Sequence, residues 1–315
     1  MDEGRRGGRL ADGAYAWVVL AVAFWVMFLA AGVRGSFGLF LKPMAAELGG
    51  GRGLLSLAVA LNMIAYGVSQ PVVGGLCDRV GARAVVLWST VLLALGLGGM
   101  SLVGRAWQVH VLYGAVVGTG IGGLALVPMV SVLSRWFVRR RGLALSIASA
   151  ATGTGQFAVI PLTMYLILLA GWRGSFLVMA AGLLLLAVPP AWLVLKGPAG
   201  TPAGGPATGQ ATAPGPGEMA APVLGEAIRE AVRDRSFVML TSSYFVCGVT
   251  TAMISTHLPA FLSDRGMAPL VGATALGLVG GFSVPGALAA GALSDRAGRR
   301  SPLAATYLVR AASLA

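Results

Sequence analysis

The stretch GGLCDRVGAR, Gly74 to Arg83, decides the reading of this chain. It sets an Asp-Arg pair and a Gly-x-Arg turn between two long apolar runs. The pattern returns as GALSDRAGRR, Gly291 to Arg300, with Gly, Leu, Asp, Arg, Gly and Arg in register and 217 positions between Asp78 and Asp295. That spacing is far longer than a solenoid repeat, so it marks two similar halves, each with one charged hairpin. Gly81 and Gly298 suit a tight turn at positive φ. Gly74 and Gly291 can let helix backbones approach closely.

What surrounds the hairpins is overwhelmingly apolar. Hydrophobic residues make up 57% of the 315, charged residues 11%, and the mean hydropathy is +0.82. A soluble domain carries about 25% charged residues. Runs of about 20 apolar residues recur, each long enough to cross a hydrocarbon core of ~30 Å as a helix. They are too long and too uniformly apolar for barrel strands. The composition therefore predicts an all-α membrane protein with spans near 14–41, 53–76, 84–103, 107–134, 143–169, 174–195, 236–262, 269–293 and 303 onward. The first run is too long for a signal peptide and reads as a retained span.

The positive charges alternate in number from loop to loop. Sixteen of the 23 Lys and Arg fall in one alternating set of loops, the one holding both hairpins, and five in the other. Loops rich in Lys and Arg face the cytoplasm, which puts the N-terminus and both hairpins there; the expected location is the cell (plasma) membrane. The same loops account for a net charge of +12 and a pI near 11 without a nucleic-acid partner. Cys77 and Cys247 have neither disulfide nor metal spacing. The run GTGIGG, Gly118 to Gly123, lies mid-span, where small residues serve helix packing and not phosphate binding. The sequence points to no enzyme and to no cofactor.

Between spans six and seven, residues 196–224 are dominated by Gly, Pro, Ala and Thr and have too little apolar surface to order themselves. Residues 225–235 place Ile228 and Val232 four apart among charges, the pattern of a short amphipathic helix on the membrane surface. The organisation is a six-span bundle over 1–195, a linker over 196–235 and a partial second bundle over 236–315. Pseudo-symmetry of the halves predicts further spans after the ninth, so the chain reads as a fragment.

With the hairpins in these loops, the chain resembles the major facilitator superfamily. The second copy fits the family's loop signature throughout, and the first has Ala82 where a basic residue is usual. SRWFVRRRGLALSI, Ser134 to Ile147, and GWRGSF, Gly171 to Phe176, resemble the same family. DGAYAWVVL (Asp12 to Leu20), RGSFGLFL (Arg34 to Leu41), HLPAFLSDRGM (His257 to Met267) and YLVRA (Tyr307 to Ala311) resemble its monocarboxylate-transporter-like members, bacterial ones included. The resemblance implies a major facilitator fold with alternating access. It also implies a cytoplasmic gate formed by Gly74, Asp78, Arg79, Gly81 and Arg83, with Gly291, Asp295, Arg296, Gly298, Arg299 and Arg300 as its second copy. In the family the first aspartate docks on an eleventh span and the second on span five. The alternative is that Asp and Arg serve only as topology-setting loop charges. The arginines can pair with aspartate or with lipid phosphate.

Charges inside spans are the natural functional candidates. Arg34 lies 20 positions into span one, which puts it in the outer part of the membrane. It is either an anchor for a substrate carboxylate or a residue snorkelling to the outer interface. Arg310 in span nine poses the same choice. Asn62, Tyr66 and Gln70 recur every four residues on span two as a polar face, with Tyr66 the best placed for a cavity and Gln70, before Pro71, for structure. Tyr113, Gln156 and His257 complete the candidate pathway; His110 and His257 can also be interfacial hydrogen-bonding residues.

All 11 acidic residues fall outside the spans. The carboxylate-transporter relatives carry an Asp and an Arg in span eight, where this chain reads GLVGGFSVPGAL. A proton partner therefore implies a carrier elsewhere or a substrate that enters as the neutral acid. The sequence predicts a secondary transporter of a small organic anion, monocarboxylate-like and working by symport. Efflux of hydrophobic or cationic solutes is the alternative within transport, and a non-transporting sensor, scaffold or inactive fragment lies outside it.

Overall fold

The computed structural model describes residues 13–48, 51–137, 140–195, 232–297 and 300–314. The predicted linker and surface helix, 196–235, lie outside these residues up to position 231, as do Gly298 and Arg299 and the side chains of Asp78, Asp295, Arg296, Arg300 and Arg310.

Every element among the described residues is helical. Span one runs from Ala14 to Leu48 with a turn at Ser36 between Ala14–Gly35 and Phe37–Leu48. Spans two and three are Arg52–Val80 and Ala82–Met100. Gly81 turns the chain between them with φ +85°, a value a side chain would oppose. Arg141–Val194 holds spans five and six, separated where Gly171 adopts φ +68°. The chain folds back there: Thr163 Oγ1 and Met179 Sδ lie 4.0 Å apart. Span seven is Arg235–Asp264, opened by Asp234, whose carboxylate accepts from the Ser236 N–H at 2.8 Å, an N-cap that satisfies one end-of-helix donor. Span eight is Pro269–Ala297, and Arg300–Leu314 begins a ninth helix. Seven helical stretches among the described residues are long and apolar enough to cross a membrane, counting Arg141–Val194 once.

Span four is the irregular one. It starts as Ala106–Val109, widens to a π-helical stretch over His110–Val117, tightens over Gly118–Gly122, breaks at 123–125 and resumes as Leu126–Trp136. The glycine run explains the approach of its neighbours. A methyl on Gly118 would strike the backbone of Asn62 on span two, and one on Gly120 that of Leu93 on span three, at 2.7 and 2.9 Å. Gly74, by contrast, has open space beside it, with no atom within 4 Å of an added methyl. The close approach expected at the hairpin glycine occurs instead in mid-span.

The core joins spans one to six, with Phe40 against Phe176 at 4.1 Å between ring centroids and Phe37 against Tyr113 at 3.6 Å. Large apolar residues such as Leu102 and Trp88 are 82% and 75% exposed, as expected of surfaces that meet lipid instead of water. At the hairpin end, Tyr15 donates to the Val194 carbonyl at 3.0 Å and packs on Trp136. Arg83 donates to the Trp192 carbonyl and lies over its ring. This arginine thus ties the hairpin end to span six. Arg79 is exposed.

The opposite end is held by two polar clusters. Glu47 accepts from Arg173 Nη2 at 2.7 Å and from Trp172 Nε1 at 2.6 Å, while Arg173 also donates to the Ser101 carbonyl at 2.9 Å. Lys42 donates to Ser263 Oγ at 2.6 Å and lies 3.5 Å from Asp264, tying span one to span seven. Spans five and eight also pack closely, with the backbones of Gly153 and Gly280 in apposition.

A candidate anion cavity around Arg34

Spans one, two, four, five, seven and eight enclose a cavity of about 370 Å³. Its walls are mostly apolar, with Met27, Met63, Ile121, Leu126, Ile160 and Leu276 among them. Such a pocket with few convergent polar groups is the usual form of a small-molecule site.

The sequence candidates converge on it unevenly. Span one continues seven residues beyond its predicted end at 41, so Arg34 stands fourteen residues, about 20 Å, short of the helix terminus at Leu48. Its guanidinium lies 4.3 Å from the centre of the Tyr66 ring, a cation–π distance. Among the described residues no carboxylate pairs with it and no hydrogen bond holds it. Asn62 and Tyr66 line the wall from span two, Tyr113 from span four and Gln156 from span five. Asn62 is buried and donates its amide to the Tyr113 carbonyl at 2.7 Å, so it supports the π-helical stretch at the same time. Gln70 lies one turn beyond and reaches the Gly122 carbonyl at 3.5 Å, a contact between helices.

His257 does not join this group. It is exposed and points away from the cavity that its neighbours Ser255 and Thr256 line; a residue next to a lining position on a helix is turned about 100° from it. His110 bonds the Leu54 carbonyl at 2.9 Å near the far end of span two.

Several lining residues were not singled out from sequence. Ser149 and Thr152 precede Gln156 at helical spacing on span five, and Thr251, Ser255 and Thr256 face them from span seven. The i, i+3, i+7 spacing on span five was a readable signal. The serines were harder to see, because Ser149 and Ser255 bond carbonyls of their own helices and so sit comfortably on any face. The break at 123–125 also borders the cavity, through Leu124 and Ala125. Irregular backbone at membrane depth is tolerated where it lines a cavity or is buried in protein.

The arrangement belongs to a known class of membrane protein. A family model described as Major Facilitator Superfamily matches residues 23–315, and the chain belongs to that family. It is 29% identical over 284 residues to "Monocarboxylate transporter 13" of Rattus norvegicus, covering 90% of this chain and 62% of the relative. "Monocarboxylate transporter 11" of Mus musculus is 33% identical over 170 residues, covering 54% of this chain and 38% of the relative. "Uncharacterized MFS-type transporter YcxA" of Bacillus subtilis is 26% identical over 309 residues, covering 95% of this chain and 70% of the relative. Among solved structures, a D-xylose-proton symporter superposes with a TM-score of 0.60 at 15% identity, over 90% of this chain and 70% of that one, a likeness of fold. The chain thus spans about six tenths of the length of the first of these relatives.

Proposed function

We propose that this chain serves in secondary transport of a small organic anion, monocarboxylate-like, which binds in the cavity with its carboxylate on Arg34. The observation that carries the reading is the unpaired guanidinium. A buried or half-buried cation is normally matched by an anion, and among the described residues none is present here. A guanidinium offers two parallel donors to a carboxylate. The Tyr66 ring lies against the guanidinium without taking its N–H donors. No Asp or Glu lines the cavity among the described residues, which speaks against a cationic solute. The monocarboxylate transporters among the relatives agree with the anion.

Alternating access follows from the halves meeting at a central site. The Lys42–Asp264 contact bridges spans one and seven at the end away from the hairpins, and the excess of Lys and Arg supports a cytoplasmic hairpin end. In this reading the hairpins Gly74–Arg83 and Gly291–Arg300 gate that end in a cell membrane.

The test is uptake of radiolabelled lactate or pyruvate by vesicles carrying the chain, with Arg34→Ala beside the unaltered protein. Saturable uptake lost in the variant is expected. Undiminished uptake would sink the anchor.

A further inference from the structure

The cavity holds two amides in opposite circumstances. Asn62 gives its amide to the Tyr113 carbonyl at 2.7 Å. Gln156, across the cavity on span five, is half-buried and has no hydrogen-bond partner among the described residues. Its amide is open to the cavity, where a bound molecule can meet it.

The backbone around Gln156 is shaped to admit it. A methyl added to Gly35 would come within 3.2 Å of Gln156 Cγ, and one added to Gly280 within 2.6 Å of its Cβ. The stem of the side chain therefore passes between a glycine of span one and a glycine of span eight. Arg34, Gly35 and Gln156 all line the one cavity, so the amide shares it with the proposed anchor.

We infer that Gln156 is a specificity-determining residue: its amide receives a second polar group of the bound acid, close to the carboxylate held by Arg34. This rests on the anion reading above. An amide is both donor and acceptor, so it meets an oxo oxygen by donating and a hydroxyl by either role. The site then favours 2-oxo and 2-hydroxy monocarboxylates over plain alkanoates of the same size, because an alkanoate leaves the amide facing a methylene. One neutral hydrogen bond is worth about a factor of ten in affinity.

Calorimetric titration of the full chain in detergent with pyruvate, lactate and propionate tests this. The unaltered protein should bind pyruvate and lactate about tenfold tighter than propionate. In Gln156→Met, which keeps the unbranched shape, the ratio should fall towards one through weaker pyruvate and lactate binding, with propionate unchanged. Arg34→Gln should lose all three acids. A Gln156→Met ratio equal to that of the unaltered protein, or an equal weakening of all three acids, overturns the assignment, the second outcome marking a packing role. Absence of discrimination in the unaltered protein overturns it too. Gln156→Leu supplies a second apolar variant, with melting curves to identify one that fails to fold. Should Arg34→Gln bind as tightly as the unaltered protein while the ratio still collapses in Gln156→Met, the anchor reading falls and the specificity role stands. Binding of none of the three acids overturns both.

Discussion

Arg173 and Arg34 lie in one bundle, and each stands 4.3 Å from the centre of an aromatic ring, Trp172 in one case and Tyr66 in the other. Beyond that they diverge. Arg173 bonds both Glu47 and the Ser101 carbonyl, binding the ends of spans one, three and six into one cluster. Arg34 has only its ring among the described residues, and it faces a cavity. The cluster is complete within the chain, whereas Arg34 has no anion beside it among the described residues. Completed polar contacts set where helices end and meet, and incomplete ones inside a membrane protein point to a ligand.

Asn62 tests the division hardest, since it lines the cavity but is committed to a backbone carbonyl. Asn62→Ala should behave as a structural change. It removes the bond to the Tyr113 carbonyl and should cost up to about 1.5 kcal/mol of stability, read as a lower melting temperature, while acid affinity stays within about twofold. A large affinity loss with unchanged melting would break the division. Arg173→Gln should come next, lowering the melting temperature by a few degrees at low salt and by less at high salt, because its partner is exposed and screened. Acid affinity should not move. Lys42→Ala should have the smallest effect. The Lys42–Asp264 pair is 46% and 42% exposed, and such pairs contribute up to about 1 kcal/mol, or roughly fivefold in an equilibrium. Because it bridges spans one and seven, the expected readout is a rise of up to about fivefold in thiol labelling of Thr256→Cys from that end. No change in labelling would make the contact incidental.

Much of this was legible beforehand, for physical reasons. Hydrocarbon thickness sets span length, so the helices and their order follow from apolar runs, and Gly81 marks the turn between spans two and three. Polar residues on an apolar helix are costly, so Arg34, Asn62, Tyr66 and Gln156 stood out at once. Other features depend on docking between helices and leave little local trace. The break at 123–125 arises where glycines on span four meet spans two and three. The Lys42–Asp264 contact joins residues more than 200 positions apart. The hydroxyls of span seven are masked by bonds to their own helix. His257 was legible as polar, but the rotation of span seven decided which way it faces.

The central claim is that Arg34 is left unpaired for an anion. Calorimetric titration of pyruvate into the unaltered chain, Arg34→Gln and Arg173→Gln in parallel tests it most directly. The account predicts binding weakened about 100-fold in Arg34→Gln, the scale of a lost charge-assisted bidentate contact, with its melting temperature unchanged and binding intact in Arg173→Gln. Equal affinity in all three proteins, or a loss in Arg34→Gln matched by an equal loss in Arg173→Gln, would contradict it.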